Sequence, residues 1–137
     1  MTDIFDLDAF EDVPAGDYVV KHPETGQPTQ IVLTLAGPEH PQRKKIAFAQ
    51  QRRLRKVLQQ TGKLQLSDPE DEESEEIDLL VSCTLAWRGL TVSGKELAHS
   101  ADAARKIYSD PKRRWLRDQV KQALNEREHF IKRSEPG

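Results

Sequence analysis

The stretch GLTVSGKE, residues 89 to 96, comes within one residue of a phosphate-binding loop. Such a loop reads G-x-x-x-x-G-K-[ST]: backbone N–H groups cradle the phosphates, the lysine reaches them, and the closing hydroxyl ligates magnesium. Here Gly89, Gly94 and Lys95 are followed by Glu96, whose carboxylate would repel the anion beside it. The loop also needs a strand running in and a helix starting at its second glycine, yet the preceding residues carry a helical pattern. The stretch therefore reads as an elbow. Gly89 is placed as a left-handed glycine closing a helix, with Leu90 set to touch Leu85 across the turn.

Other residues with chemical potential are scattered. His22, His40, His99 and His129 have no His or Cys partner at a metal-ligand spacing. No flanking pattern singles out a Ser, His and Asp triad, and Glu72, Glu73, Glu75 and Glu76 belong to a solvated acidic run. The chain is not expected to be an enzyme, and no metal or cofactor is implied. Lys112, Arg113, Arg114, Arg117 and Lys121 line one helix around Trp115, the footprint of a nucleic-acid binder. Against that reading, Trp115 falls on the apolar stripe and the chain's net charge is −2.

The elements that must position these residues fit one domain, 17–134, behind an acidic flexible arm, 1–16. A length of 137 residues closes a single core. Charged residues make up 32% of the chain, so that core must be modest or completed by a partner. No stretch approaches a membrane span, and the acidic start is unlike a signal peptide. The lone Cys83 lies in an apolar run and suits a reducing cytoplasm. Charge is sorted in blocks: acidic over residues 1–17 and 68–78, basic over 43–56 and 105–133.

The expected fold is mainly α: about four helices with an N-terminal β-hairpin. β-branched residues around Thr25-Gly26-Gln27-Pro28 give a hairpin over 17–36. Apolar residues at three- and four-residue spacing give a helix over 42–61, ended by Gly62. An acidic loop, 63–74, leads to a helix over 75–88 with Ile77, Leu80, Val81 and Leu85 on one stripe. That helix is apolar nearly all round, as a central one would be. Ser100 caps a short helix, 101–108, and Asp110-Pro111 opens a long one, 111–132, that buries Trp115, Val120 and Leu124.

Taken in order, Trp87, Gly89, Leu90, Gly94, Ser100, Ala104, Tyr108, Trp115, Gln119, Val120 and Phe130 resemble the tail assembly chaperones of phages with long non-contractile tails. The resemblance covers residues 75–131. It implies a small, mainly helical protein that works in the host cytoplasm and is absent from the finished virion. Such a protein coats the tape measure protein, keeps it soluble and promotes assembly of the tail tube around it. In many phages a frameshifted, longer product recruits the tail tube protein. The family has no catalytic residues to carry over.

On this reading Leu79, Trp87, Leu90 and Tyr108 edge a groove for tape-measure helices. The arm, through Phe5, Leu7 and Phe10, fills that groove when no client is bound. The separated charge blocks also suit self-association. The competing readings are a helical nucleic-acid binder, a tail completion or connector component of the virion, and a bacterial adaptor with no phage connection.

Overall fold

In the computed structural model, residues 4–62 and 68–134 are described. Strand β1 (Phe10–Asp12) leads into a hairpin of β2 (Ala15–Lys21) and β3 (Pro28–Ala36). Two helices follow, α1 (Pro41–Thr61) and α2 (Pro69–Cys83), then β4 (Thr84–Arg88) and the tiny strands β5 (Thr91–Val92) and β6 (Lys95–Glu96). Helices α3 (Ala101–Ser109) and α4 (Arg114–Leu124) precede a closing strand, β7 (Ile131–Arg133). Of the described residues 52% are helical and 25% lie in three small sheets, so the fold is α and β together and the mainly α expectation is corrected.

The principal correction falls at residues 84–88. Expected as the last turns of a helix, they form β4 and pair antiparallel with β3, Leu33 opposite Trp87 and Leu35 opposite Thr84. The apolar residues that surround a helical wheel here are equally the two faces of a strand. Leu85 and Trp87 pack against the core, while Ala86 and Arg88 face out. β-branched Thr84 makes the handover: its N–H and its hydroxyl both bond the Leu80 carbonyl, the hydroxyl at 2.8 Å. The strand order is β2-β3-β4, with β3 in the middle.

At its other end α2 begins six residues earlier than expected. Asp68 occupies the N-cap position, Pro69 the first turn, and Glu70, Asp71 and Glu72 follow it. A proline is tolerated at that place because its missing N–H would have had no helical partner, and carboxylates suit the positive end of the dipole. Of the loop expected over 63–74, residues 69–74 are thus helical, and 63–67 lie outside the described residues.

The long terminal helix is also corrected. A 3₁₀ turn over Pro111–Arg113 precedes α4, and the helix stops at Leu124. A second 3₁₀ turn, Arg127–Phe130, drives Phe130 into the core. Only glycine permits this. A Cβ on Gly16 would lie 1.8 Å from the His129 carbonyl oxygen, and one on Gly37 would lie 3.1 Å from the Phe130 ring.

The acidic arm is anchored at residues 10–12. β1 pairs antiparallel with β7, Glu11 opposite Lys132, and backbone bonds from Val13 N to Phe130 O and from Ser134 N to Ala9 O extend the ribbon. The core joins Tyr18, Val20, Leu33 and Leu35 of the sheet to Leu80 and Cys83 of α2, Tyr108 of α3 and Val120 of α4.

Candidate partner-binding surface

Helix α1 sits differently from the rest. It is 21 residues long, capped by the His40 ring at one end and by left-handed Gly62 at the other, and none of its side chains is buried. Its inner edge rests on α2 through Gln50, whose amide donates to the Glu75 carbonyl at 3.1 Å, and through the Arg53–Glu75 ion pair at 2.6 Å. Near its start, Arg43 spends its guanidinium on the carbonyls of Ala36 and Leu124. Phe48, Leu54 and Leu58 remain exposed.

Between α1 and α2 runs a groove of about 440 Å³, lined by Gln50, Gln51, Arg53, Leu54 and Val57 of α1 and by Glu72 and Glu75 of α2. Its α1 wall mixes two apolar side chains with polar ones, and its α2 wall is acidic. A larger cleft of about 640 Å³ opens where α1, α2 and α4 converge, with Leu79 and Leu80 on its wall and Arg117 beside them. The Arg117 side chain is only 5% exposed. Its Nη1 donates to Glu73 at 3.3 Å and to the Tyr108 carbonyl at 3.4 Å, while its Nε finds no acceptor.

These bonds rearrange the basic line expected on the terminal helix. Arg113 pairs with Asp110, Arg117 with Glu73, and Lys121 with Glu76 at 2.6 Å. Lys112 and Arg114 have no ion pair among the described residues. On α1, besides Arg43, which bonds carbonyls, Lys45, Arg52, Arg55 and Lys56 have no ion pair among the described residues.

The residues expected to edge a groove at the elbow are not brought together on a surface. Leu90 and Tyr108 are 4% and 2% exposed, inside the core. The Trp87 indole donates to the Leu97 carbonyl at 2.7 Å and meets the His99 ring edge-on. Only Leu79 reaches an opening, the α2–α4 cleft. Within the arm, Phe5 stacks on Phe10, and Arg133 lies over the Phe10 ring, so the arm's Phe10 pairs with the C-terminal strand. Ile4, Phe5 and Leu7 are left exposed.

Of the residues expected in the core, Ile77, Leu80, Val120 and Leu124 are buried, and Val81 and Leu85 pack against them partly covered. Trp115 is 38% exposed. Ser100 and Asp110 both cap, accepting from Ala103 N and Lys112 N, and Pro111 opens the 3₁₀ turn. The elbow is a miniature hairpin: β5 and β6 pair across Ser93-Gly94, both with positive φ, as a two-residue hairpin turn requires. Gly89 is left-handed but follows a strand, and a Cβ there would lie 2.2 Å from the Gln30 carbonyl oxygen.

Titratable groups in the core are held neutral. Burial pushes the Cys83 thiol up to about 11, against a small opposing pull from Arg43. Burial likewise raises Tyr108 to about 12, with its Thr84 hydrogen bond working the other way. Glu126, Glu128 and His129 bring ligand atoms within 4.8 Å of one another, but the His129 ring is already spent on Glu126 and on an edge contact with Tyr18.

Sequence reasoning missed α1 as the open element because its apolar spacing is that of any surface helix. Only the scarcity of apolar residues downstream to cover it could have pointed there. Family models, curated proteins and solved structures yield no match to this chain. Among the described residues no helix is long and apolar enough to cross a membrane.

Proposed function

We propose that this chain is a tail assembly chaperone: a binding protein, not an enzyme, that holds amphipathic helices of the tape measure protein and keeps them soluble in the host cytoplasm while the tail tube forms. The observation that supports it is α1, a full-length helix with no buried side chain, bordering an open groove with Leu54 and Val57 on one wall. A client helix laid there would cover both its own apolar face and that of α1. Glu72 on the far wall, exposed and with no ion pair among the described residues, suits a client with lysine or arginine on its flank, while Glu75 is held by Arg53. The site thus moves from the elbow, where Leu90 and Tyr108 are inside the core, to the α1–α2 groove.

Co-expression tests the reading. The chain is produced with the long helical protein encoded in the same structural gene cluster, and the soluble client is measured with and without it. Soluble client should rise severalfold, and Leu54→Asp with Val57→Asp should abolish the gain while the circular dichroism of the chain is kept. Equal solubility without the chain defeats the proposal. Nucleic acid released by nuclease from the purified protein would favour the unpaired cations of α1 as a nucleic-acid surface instead.

A further inference from the structure

Two exposed surfaces of this chain complement each other, and among the described residues no ion pair joins them. The first is the arm. Ile4, Phe5 and Leu7 are exposed on it, and among the described residues Glu11 is the one carboxylate of residues 4–12 with an ion pair, to Lys132. Asp6 accepts from the Asp8 amide, and Asp8 and Asp12 are exposed without an ion pair. No lysine or arginine occurs from residue 4 to residue 12.

The second surface is the outer side of α1. At about 100° per residue, Phe48, Leu54 and Leu58 share a sector roughly 120° wide that also holds Gln51 and Arg55, and Lys45, Arg52 and Lys56 form the strip beside its Phe48 edge. The helix carries no acid at all. Within the arm Leu7–Ala9 form a 3₁₀ turn capped by Asp6, and Phe48 to Leu58 covers ~15 Å along the helix.

We infer that the arm of one copy docks on the outer face of α1 of a second copy, Phe5 and Leu7 against Phe48 and Leu58, with Asp8 and Asp12 facing Arg52, Arg55 and Lys56. Each chain then offers one arm and one helix, so the contact is either exchanged reciprocally in a dimer or repeated head to tail. The partner here is the chain itself, and its site adjoins the client groove through Leu54, which belongs to both, whereas Asp8, Asp12, Arg52, Arg55 and Lys56 do not line that groove.

Charge swapping tests it. Full-length protein, treated with nuclease, is sedimented at about 0.05 M and about 0.5 M salt, on either side of strong screening. Association is expected at low salt and should weaken by at least about tenfold at high salt. Asp8→Lys with Asp12→Lys should give monomers, as should Arg52→Glu with Arg55→Glu and Lys56→Glu. All of these positions are exposed, so the fold is retained, and circular dichroism verifies it. A chain bearing both sets of reversals should associate again, since the charges match once more. A wild-type chain that stays monomeric at low salt, or an oligomer that ignores either reversal, overturns the inference. So does association that is lost with nuclease, which would mean that nucleic acid bridges the copies.

Discussion

The Tyr108 hydroxyl and the Thr84 hydroxyl lie 2.7 Å apart inside the core, at the residue where α2 gives way to β4. The Thr84 hydroxyl donates to the Leu80 carbonyl, so the phenol depends on Thr84 more than Thr84 depends on it. Thr84→Val leaves the phenol short of a partner and is expected to cost about 1–3 kcal/mol, and Tyr108→Phe about 1 kcal/mol. The double variant should cost clearly less than the sum, by about 1 kcal/mol or more. Urea unfolding of the four proteins checks the cycle, and strict additivity would mean the two groups are not coupled.

Two glycines of the elbow separate strain from collision. Gly94 is left-handed with open space around it, so Gly94→Ala should cost about 1 kcal/mol. Gly89 is left-handed too, but its missing Cβ faces the Gln30 carbonyl, and Gly89→Ala adds displacement of β3 to the same strain. Thermal denaturation should show Gly89→Ala the worse of the two by about 2 kcal/mol or more.

Alkaline titration reads the buried thiol and phenol. Both are neutral when protonated, and both are raised in the fold, Cys83 from 9.0 to about 11 and Tyr108 from 10.0 to about 12. The stability they hold is therefore whole below pH 9.0 and is lost as pH rises through about 11 and then 12. Chemical denaturation between pH 7 and 12 should show that decline. At pH 8 a thiol reagent should modify folded Cys83 at least about a hundredfold more slowly than the unfolded chain.

Arg117 is costly where it stands. It is desolvated, its Nε has no acceptor, and its carboxylate partners Glu73 and Glu76 keep some access to water. Arg117→Met fills the same space without the desolvation and should leave stability within about 1 kcal/mol of the parent, or raise it. A loss above about 3 kcal/mol would show that the ion pairs, and not the side chain's bulk, hold α2 to α4.

The sequence makes some of this visible and hides the rest for physical reasons. The hairpin around Gly26, the caps at Ser100 and Asp110, and the end of α1 at Gly62 are each written in one or two residues with a fixed local role. β4 is not, because Thr84 to Arg88 satisfies both a helical and an alternating pattern, and the pairing partner that decides lies in β3, far away in the chain. Asp68-Pro69 illustrates the opposite error: proline and a run of acids suggest a loop, yet in that order they open a helix. The burial of Phe130 rests on two glycines, Gly16 and Gly37, that look like ordinary turn residues until the chain's end folds over them. As for the binding surface, Trp87, Leu90 and Tyr108 draw attention by their size, and large apolar residues are also the ones a modest core needs most. Phe48, Leu54 and Leu58 are spaced like core residues and differ only in what fails to cover them.

The ribbon of β1 and β7 also governs when the molecule can be completed. β1 precedes every other strand and every α-helix of the described fold and β7 follows them, so their pairing, Phe10 opposite Arg133, closes the longest loop among the described sheets and forms only after the elements between them have been made. Until then the aromatic arm has no strand beside it, although α1 is already available.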